Sequence, residues 1–247
     1  MPLPVRSYQD LLLWQPPPLK EIISDGILYE QTKLVLFGGP KLGKSVLAQQ
    51  LSFCLVMGLP WLGFSVLQSR VMYIQAEISE VLFRTRLMDM GKGRIVPANM
   101  FNLSTIVGFH LDKPTPSSDL LAAVAKHKPD VLIIDPKYKF VSSNDENSII
   151  RFTDTVDECI LKHNTTVVVI EHSRKPKMSA TGAVVDMGGF ELRGPIIEQW
   201  ADGIIRLTGD LNQDTRVLQF ELRHAVNQIL PKQLVLNRQT FWFDVVV

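Results

Sequence analysis

The chain has 247 residues, 46% hydrophobic and 21% charged, enough for one large α/β domain with a substantial core and little more. A formal net charge of +1 excludes a global basic field, so any contact with nucleic acid would have to be a local patch. No apolar run reaches membrane-spanning length, and an N-terminus carrying Arg6, Asp10 and three successive prolines is unlike a signal peptide, so a cytoplasmic protein with no membrane contact is expected.

Residues 1–32 read as an N-terminal arm ahead of a domain spanning 33–247. Within the arm, 8–14 is short and apolar, and Pro16, Pro17 and Pro18 force an extended segment. The arm is expected to pack on the core or on a neighbouring subunit. Residues 33–37 (Lys-Leu-Val-Leu-Phe) form an apolar run with strand character. Residues 38–45 then read G-x-x-x-x-G-K-S, and a helical pattern follows. Strand, glycine-rich turn and helix are the context that a phosphate loop requires. Gly38, Gly39 and Gly43 let the backbone curl so that successive N–H groups converge on phosphate oxygens. Pro40 stiffens the turn and removes one donor, leaving Gly39 and Lys41, Leu42, Gly43, Lys44 and Ser45 to donate, and Val46 is expected to complete the nucleotide-binding stretch. The helix adds its positive dipole end to the same place. Lys44 is expected to reach the β- and γ-phosphates, and the Ser45 hydroxyl to ligate Mg²⁺.

The helix over 45–57 ends at Gly58-Leu59-Pro60-Trp61-Leu62-Gly63, where Trp61 reads as a structural plug. Cys54 and Cys159 lie in helical apolar patterns and read as buried thiols, with neither metal spacing nor a disulfide framework. A second strand is predicted over 70–76, with Glu77 directly after it. A carboxylate there sits where parallel sheets bind ligands and is able to polarise an attacking water; it is equally suited to the first turn of the next helix. A helix over 81–90 follows, then a short strand over 100–104 and a helix over 117–127 capped by Ser117 or Ser118. Residues 131–135 (Val-Leu-Ile-Ile-Asp) are the clearest strand in the chain, and Asp135 is expected to hold Mg²⁺ through Ser45 or a bound water. The loop 136–147 contains Lys137, Tyr138 and Lys139. After a helix over 149–163 and a strand over 165–170 comes His172, either a γ-phosphate contact or a structural histidine. Residues 174–194 form a long loop with Arg174, Lys175, Lys177 and Arg193. Short strands are predicted over 203–207, 215–223, 232–236 and 240–246, an antiparallel extension of a parallel core.

As an ordered set these motifs resemble the RecA-like ATPases, and within them the hexameric replicative helicases of the plasmid RepA type. The resemblance covers about residues 20–247. It rests on the phosphate loop, on 58–64 (Gly-Leu-Pro-Trp-Leu-Gly-Phe), on 73–77 (Tyr-Ile-Gln-Ala-Glu) and on 131–135. It continues through Ile170-Glu171-His172-Ser173, Arg193-Gly194, Gln199-Trp200-Ala201-Asp202 and Phe220-Glu221-Leu222-Arg223. The implied fold is an α/β P-loop NTPase core, its mainly parallel sheet flanked by helices and carrying a C-terminal antiparallel β-hairpin extension. The resemblance also implies that the cofactors are ATP and Mg²⁺, that Glu77 is the catalytic base, and that His172 senses the γ-phosphate. Loops 136–147 and 174–194 would line the channel of a ring of identical subunits, a hexamer, and touch single-stranded DNA. Arg223, or as second choice Arg206, would enter the neighbour's site as a finger, although Glu221 stands where a lysine often precedes it. The implied activity is that of a DNA helicase or a related replication or recombination motor, with a protein loader as a possible partner. The rival reading is a nucleotide-gated assembly ATPase that recruits a protein partner with little DNA-dependent turnover.

Overall fold

The computed structural model describes residues 5–173, 177–178, 184–186 and 195–246. Helix α1 (Tyr8–Leu13) precedes a hairpin of β1 (Glu21–Ile23) and β2 (Leu28–Tyr29). Strand β3 (Lys33–Gly38), helix α2 (Lys44–Met57), β4 (Val71–Gln75), α3 (Glu80–Gly91) and β5 (Phe101–Thr105) follow. Next come α4 (Pro114–His127), β6 (Val131–Asp135), a 3₁₀ turn (Lys137–Lys139), α5 (Glu146–His163) and β7 (Thr166–His172). The short strands β8 (Lys177–Met178) and β9 (Val184–Asp186) pair antiparallel with each other. The chain continues as α6 (Pro195–Trp200), β10 (Gly203–Thr208), β11 (Thr215–Leu222), β12 (Lys232–Asn237) and β13 (Trp242–Val245).

The main sheet has the order β13-β12-β11-β10-β3-β7-β6-β4-β5. It is parallel from β10 to β5 and antiparallel from β10 to β13, the parallel core with antiparallel extension that the sequence predicts. The parallel strands are covered on both faces, which is why they read as continuous apolar runs rather than alternating ones. Along β3, Leu34 and Leu36 enter one core layer with α2, while Val35 and Phe37 enter the other, under α4, α5 and α6. Along β6, Val131 and Ile133 divide from Leu132 and Ile134 in the same way. Helix α2 is buried from Val46 through Val56, so its sequence is apolar nearly all round. The hairpin places Ile22, Ile23, Ile27 and Leu28 in the α2 layer, whereas 5–19 lie exposed. Trp61 is buried, and so are both cysteines, one in each layer.

Several predicted boundaries move, among them the start of α5, at Glu146 rather than at 149. Helix α4 starts at Pro114, with Lys113 as its N-cap, rather than at a Ser117 or Ser118 cap. Proline is preorganised for a first helical turn and has no N–H to leave unpaired. Ser117 Oγ instead meets Thr155 Oγ1 of α5 at 2.9 Å. Strand β7 runs through His172, so that histidine lies on the strand, paired in the ladder with Gly38.

Candidate nucleotide-binding site

The C-terminal ends of β3, β4, β6 and β7 lie side by side, the edge at which open α/β sheets bind ligands. Residues 39–43 leave β3 there and lead directly into α2. Gly43 is the N-cap, at φ 97°, in the left-handed region that other residues avoid. A Cβ on it would also lie 2.8 Å from the ring of Phe243. Gly38 is needed for a different reason: a Cβ on it would come within 2.2 Å of the Leu207 carbonyl of β10.

Lys44 is buried, donates to the Gly39 carbonyl at 2.7 Å, and lies 3.4 Å from His172 Nδ1. Burial lowers its pKa to about 8, against the pull of Asp135, Glu77 and Glu171 in the other direction. Ser45 Oγ donates to Asp135 Oδ1 at 3.0 Å. The Tyr73 hydroxyl donates to Asp135 Oδ2. Burial raises the Asp135 carboxyl to about 6, although both hydrogen bonds favour its charged form. The Ser45 and Asp135 oxygens suit a hard cation. A cation such as Mg²⁺ takes one or two protein oxygens and completes its shell with phosphate oxygens and water.

Glu77 is held at its backbone. Gln75 Oε1 accepts from the N–H groups of Glu77 (3.0 Å) and Ile78 (3.1 Å), and Gln75 Nε2 donates to the Ile78 carbonyl at 2.8 Å. The exposed Glu77 carboxylate accepts from the Tyr138 hydroxyl at 3.1 Å. The Tyr138 ring stands edge-on to His172, 5.2 Å between centroids. Beneath them Lys137 and Glu171 form a fully buried ion pair at 2.6 Å, and Glu171 Oε1 accepts from the His172 N–H at 2.8 Å. Lys137 of loop 136–147 is therefore a structural tether between the ends of β6 and β7. A lone buried ammonium is too costly to leave without a counter-charge.

The antiparallel extension braces the phosphate loop. Arg216 of β11 is 4% exposed, and its guanidinium donates to four carbonyls: Leu42 (3.0 Å), Asp210 (3.0 Å), Gln213 (2.6 Å) and Thr215 (2.7 Å). Gln50 of α2 exchanges two hydrogen bonds with the backbone of Phe243 in β13, at 2.9 and 2.8 Å.

Lys44, Ser45, Asp135, Glu77 and His172 thus share one edge of the sheet. Arg223 does not join them. It follows β11, donates to the Gln199 carbonyl, and is exposed. Its neighbour Leu222 pairs with Gly203, and Gly203 with Leu34, about 13 Å along β3 from Gly38. Arg206 lies nearer, paired in the ladder with Phe37, and its Nε donates to Gln219 Oε1 at 2.9 Å. Most of loop 174–194, including Arg174, Lys175 and Arg193, lies outside the described residues, as does the side chain of Lys177. Tyr73, Gln75, the Lys137–Glu171 pair and Arg216 carry the site, although the sequence assigns none of them a role in binding nucleotide. Gln75 left a signal, an amide closing an apolar strand just before a carboxylate. Arg216 left none, because its partners are backbone carbonyls.

The model of the AAA domain family matches residues 3–178. No curated protein matches the chain in sequence. Among solved structures, a KaiC-like protein of the hyperthermophilic archaeon Pyrococcus horikoshii OT3 superposes with a TM-score of 0.61 at 14% identity, over 92% of this chain and 94% of that one. The RadB recombinase superposes with a TM-score of 0.59 at 17% identity, over 89% and 93%. Both likenesses concern the fold, a RecA-like P-loop ATPase fold. By the family match over most of its length, and with the phosphate loop at the sheet edge where that fold binds nucleotide, the chain belongs to the AAA domain family.

Proposed function

We propose that this protein is an Mg²⁺-dependent ATPase that assembles as a ring of its own copies, a hexamer, and acts on single-stranded DNA as a helicase or a related replication or recombination motor. The observation that carries the reading is the convergence of Lys44, Ser45, Asp135, Glu77 and His172 on adjacent strand ends. In this reading the N–H groups of 39 and 41–45, with Lys44, bind the phosphates. Ser45 and Asp135 hold Mg²⁺, which neutralises charge on the phosphate oxygens. Glu77 takes a proton from the attacking water, and His172 reports the γ-phosphate to the segment that follows β7.

Arg223 is exposed at the opposite edge of the sheet, away from this chain's own phosphate loop, and in this reading it serves a neighbouring copy's site. A finger supplied from next door stabilises charge on the transferring phosphoryl and ties turnover to assembly. The relative named as a recombinase is in keeping with a DNA substrate. A second reading, a nucleotide-gated assembly ATPase with a protein partner and little DNA-dependent turnover, is favoured by one observation: Lys137 is spent inside the protein rather than offered to a phosphate backbone.

Steady-state ATP hydrolysis with and without single-stranded DNA, at low salt and across protein concentrations, tests the proposal. Stimulation by DNA that rises cooperatively with protein supports the ring motor. Turnover indifferent to DNA transfers the assignment to the assembly ATPase. Arg223→Ala mixed into wild-type protein should depress activity more steeply than in proportion to the mutant fraction; a proportional fall removes the finger.

A further inference from the structure

We propose that Tyr138 is a positioning residue that latches Glu77: its phenol occupies the glutamate's carboxylate and restrains hydrolysis until a ligand on the 137–141 turn draws the ring away. The proposal rests on the reading of Glu77 as the base and adds how that base is controlled. The Tyr138 hydroxyl donates to Glu77 Oε1 at 3.1 Å. Burial, with the charges of Glu77 and Asp135, pushes the hydroxyl's pKa up to about 12. At working pH it stays protonated and donates. It therefore competes with a water for the same oxygen.

The turn is built so that this ring moves without the rest. On one side Lys137 is tethered to Glu171, and on the other Phe140 and Val141 are buried in the core. Between these anchors only Tyr138 and Lys139 are open to solvent, with the Lys139 ammonium 5.3 Å from the Tyr138 ring centroid. A ligand that offers an anion beside a flat aromatic face meets both at once, the anion at Lys139 and the face against the ring. A single nucleic-acid strand has that chemistry, phosphate alternating with base. Stacking on the ring and donation to Glu77 then make competing demands on one side chain, which is how occupancy of the turn would reach the catalytic carboxylate. The same ring touches His172, so its departure changes the surroundings of base and sensor together.

The test is the Tyr138→Phe variant of the full chain, which removes one oxygen from a partly exposed side chain and leaves the ring. Turnover with Mg²⁺-ATP is measured with and without an oligothymidylate. The latch predicts a basal kcat raised about tenfold, in line with the loss of one hydrogen bond to a charged group, with KM for ATP within about twofold. It also predicts that the oligothymidylate stimulates the variant less than the wild type. Damage to the fold would lower kcat, so a rise is specific. Glu77→Gln is run in parallel, and the double variant should be as slow as Glu77→Gln alone. If Glu77→Gln is inactive but Tyr138→Phe leaves basal kcat unchanged or lower, the latch is overturned and the base assignment stands. Equal stimulation of both proteins, or none of the wild type, also overturns the latch. If Glu77→Gln turns over normally, the base assignment fails and the latch with it.

Discussion

The two halves of the site are built differently. The phosphate and metal half, Lys44 with Ser45 and Asp135, is largely buried, and each of the three side chains is bonded to a neighbouring element. The arrangement around it is set before any ligand arrives, with Arg216 on the Leu42 carbonyl and Phe243 against Gly43. The water-activating half is more open: Glu77 is exposed, and Tyr138 and His172 are partly buried. A site whose binding half is rigid and whose chemical half has freedom to move is suited to holding nucleotide firmly while hydrolysis waits on a second signal.

Substitutions that separate the halves test this contrast. The largest effect belongs to Lys44→Ala, which should weaken ATP binding by at least about 100-fold through loss of charge-assisted bonds to phosphate. Fluorescence titration with an ATP analogue measures it, and undiminished affinity would remove the phosphate-loop assignment. Glu77→Gln should leave affinity within about twofold while turnover falls about 100-fold or more. Single-turnover hydrolysis beside a binding titration checks that split. Arg216→Met should weaken ATP binding about tenfold and lower the melting temperature, because it leaves buried carbonyls without their donor. Its kcat at saturating ATP should stay close to wild type; a fall in kcat with normal affinity would mean that the brace serves the chemical half instead.

Acidity draws the same line with smaller effects. Lys44 is charged below its pKa of about 8, and phosphate favours the charged form. ATP binding should therefore take up protons near pH 8 and weaken severalfold from pH 7 to pH 9, as calorimetry in two buffers of different ionisation enthalpy would register. Asp135 has its carboxyl raised to about 6, and the Tyr73 hydrogen bond works against that rise. Removing the bond with Tyr73→Phe should shift the acid limb of Mg²⁺-supported turnover to higher pH by a fraction of a unit, with little change at pH 8. An unmoved limb would mean that Asp135 does not set it.

Much of this was legible in the chain itself. Local rules suffice for a strand that enters a glycine-rich turn and a helix, for Val131–Asp135 as a buried strand ending in an acid, and for short strands separated by turns. Each depends on side-chain pattern within a few residues and on the peptide geometry common to all chains. Lys44, Ser45, Asp135, Glu77 and His172 were named from such signals, and the fold brings their elements together. The sequence could not say that Lys137 is withdrawn from the surface, that Tyr138 bonds Glu77, or that Arg216 reaches Leu42. Those partners are separated by 34, 61 and 174 positions. What decides them is which strands become neighbours, and β3 between β7 and β10 is a result of closing the whole sheet. The sequence by itself determined the kinds of chemistry available at the ends of the strands. Only the tertiary structure decided which charges are buried in pairs and which remain exposed to act, because the cost of burying a charge depends on partners that distant parts of the chain supply.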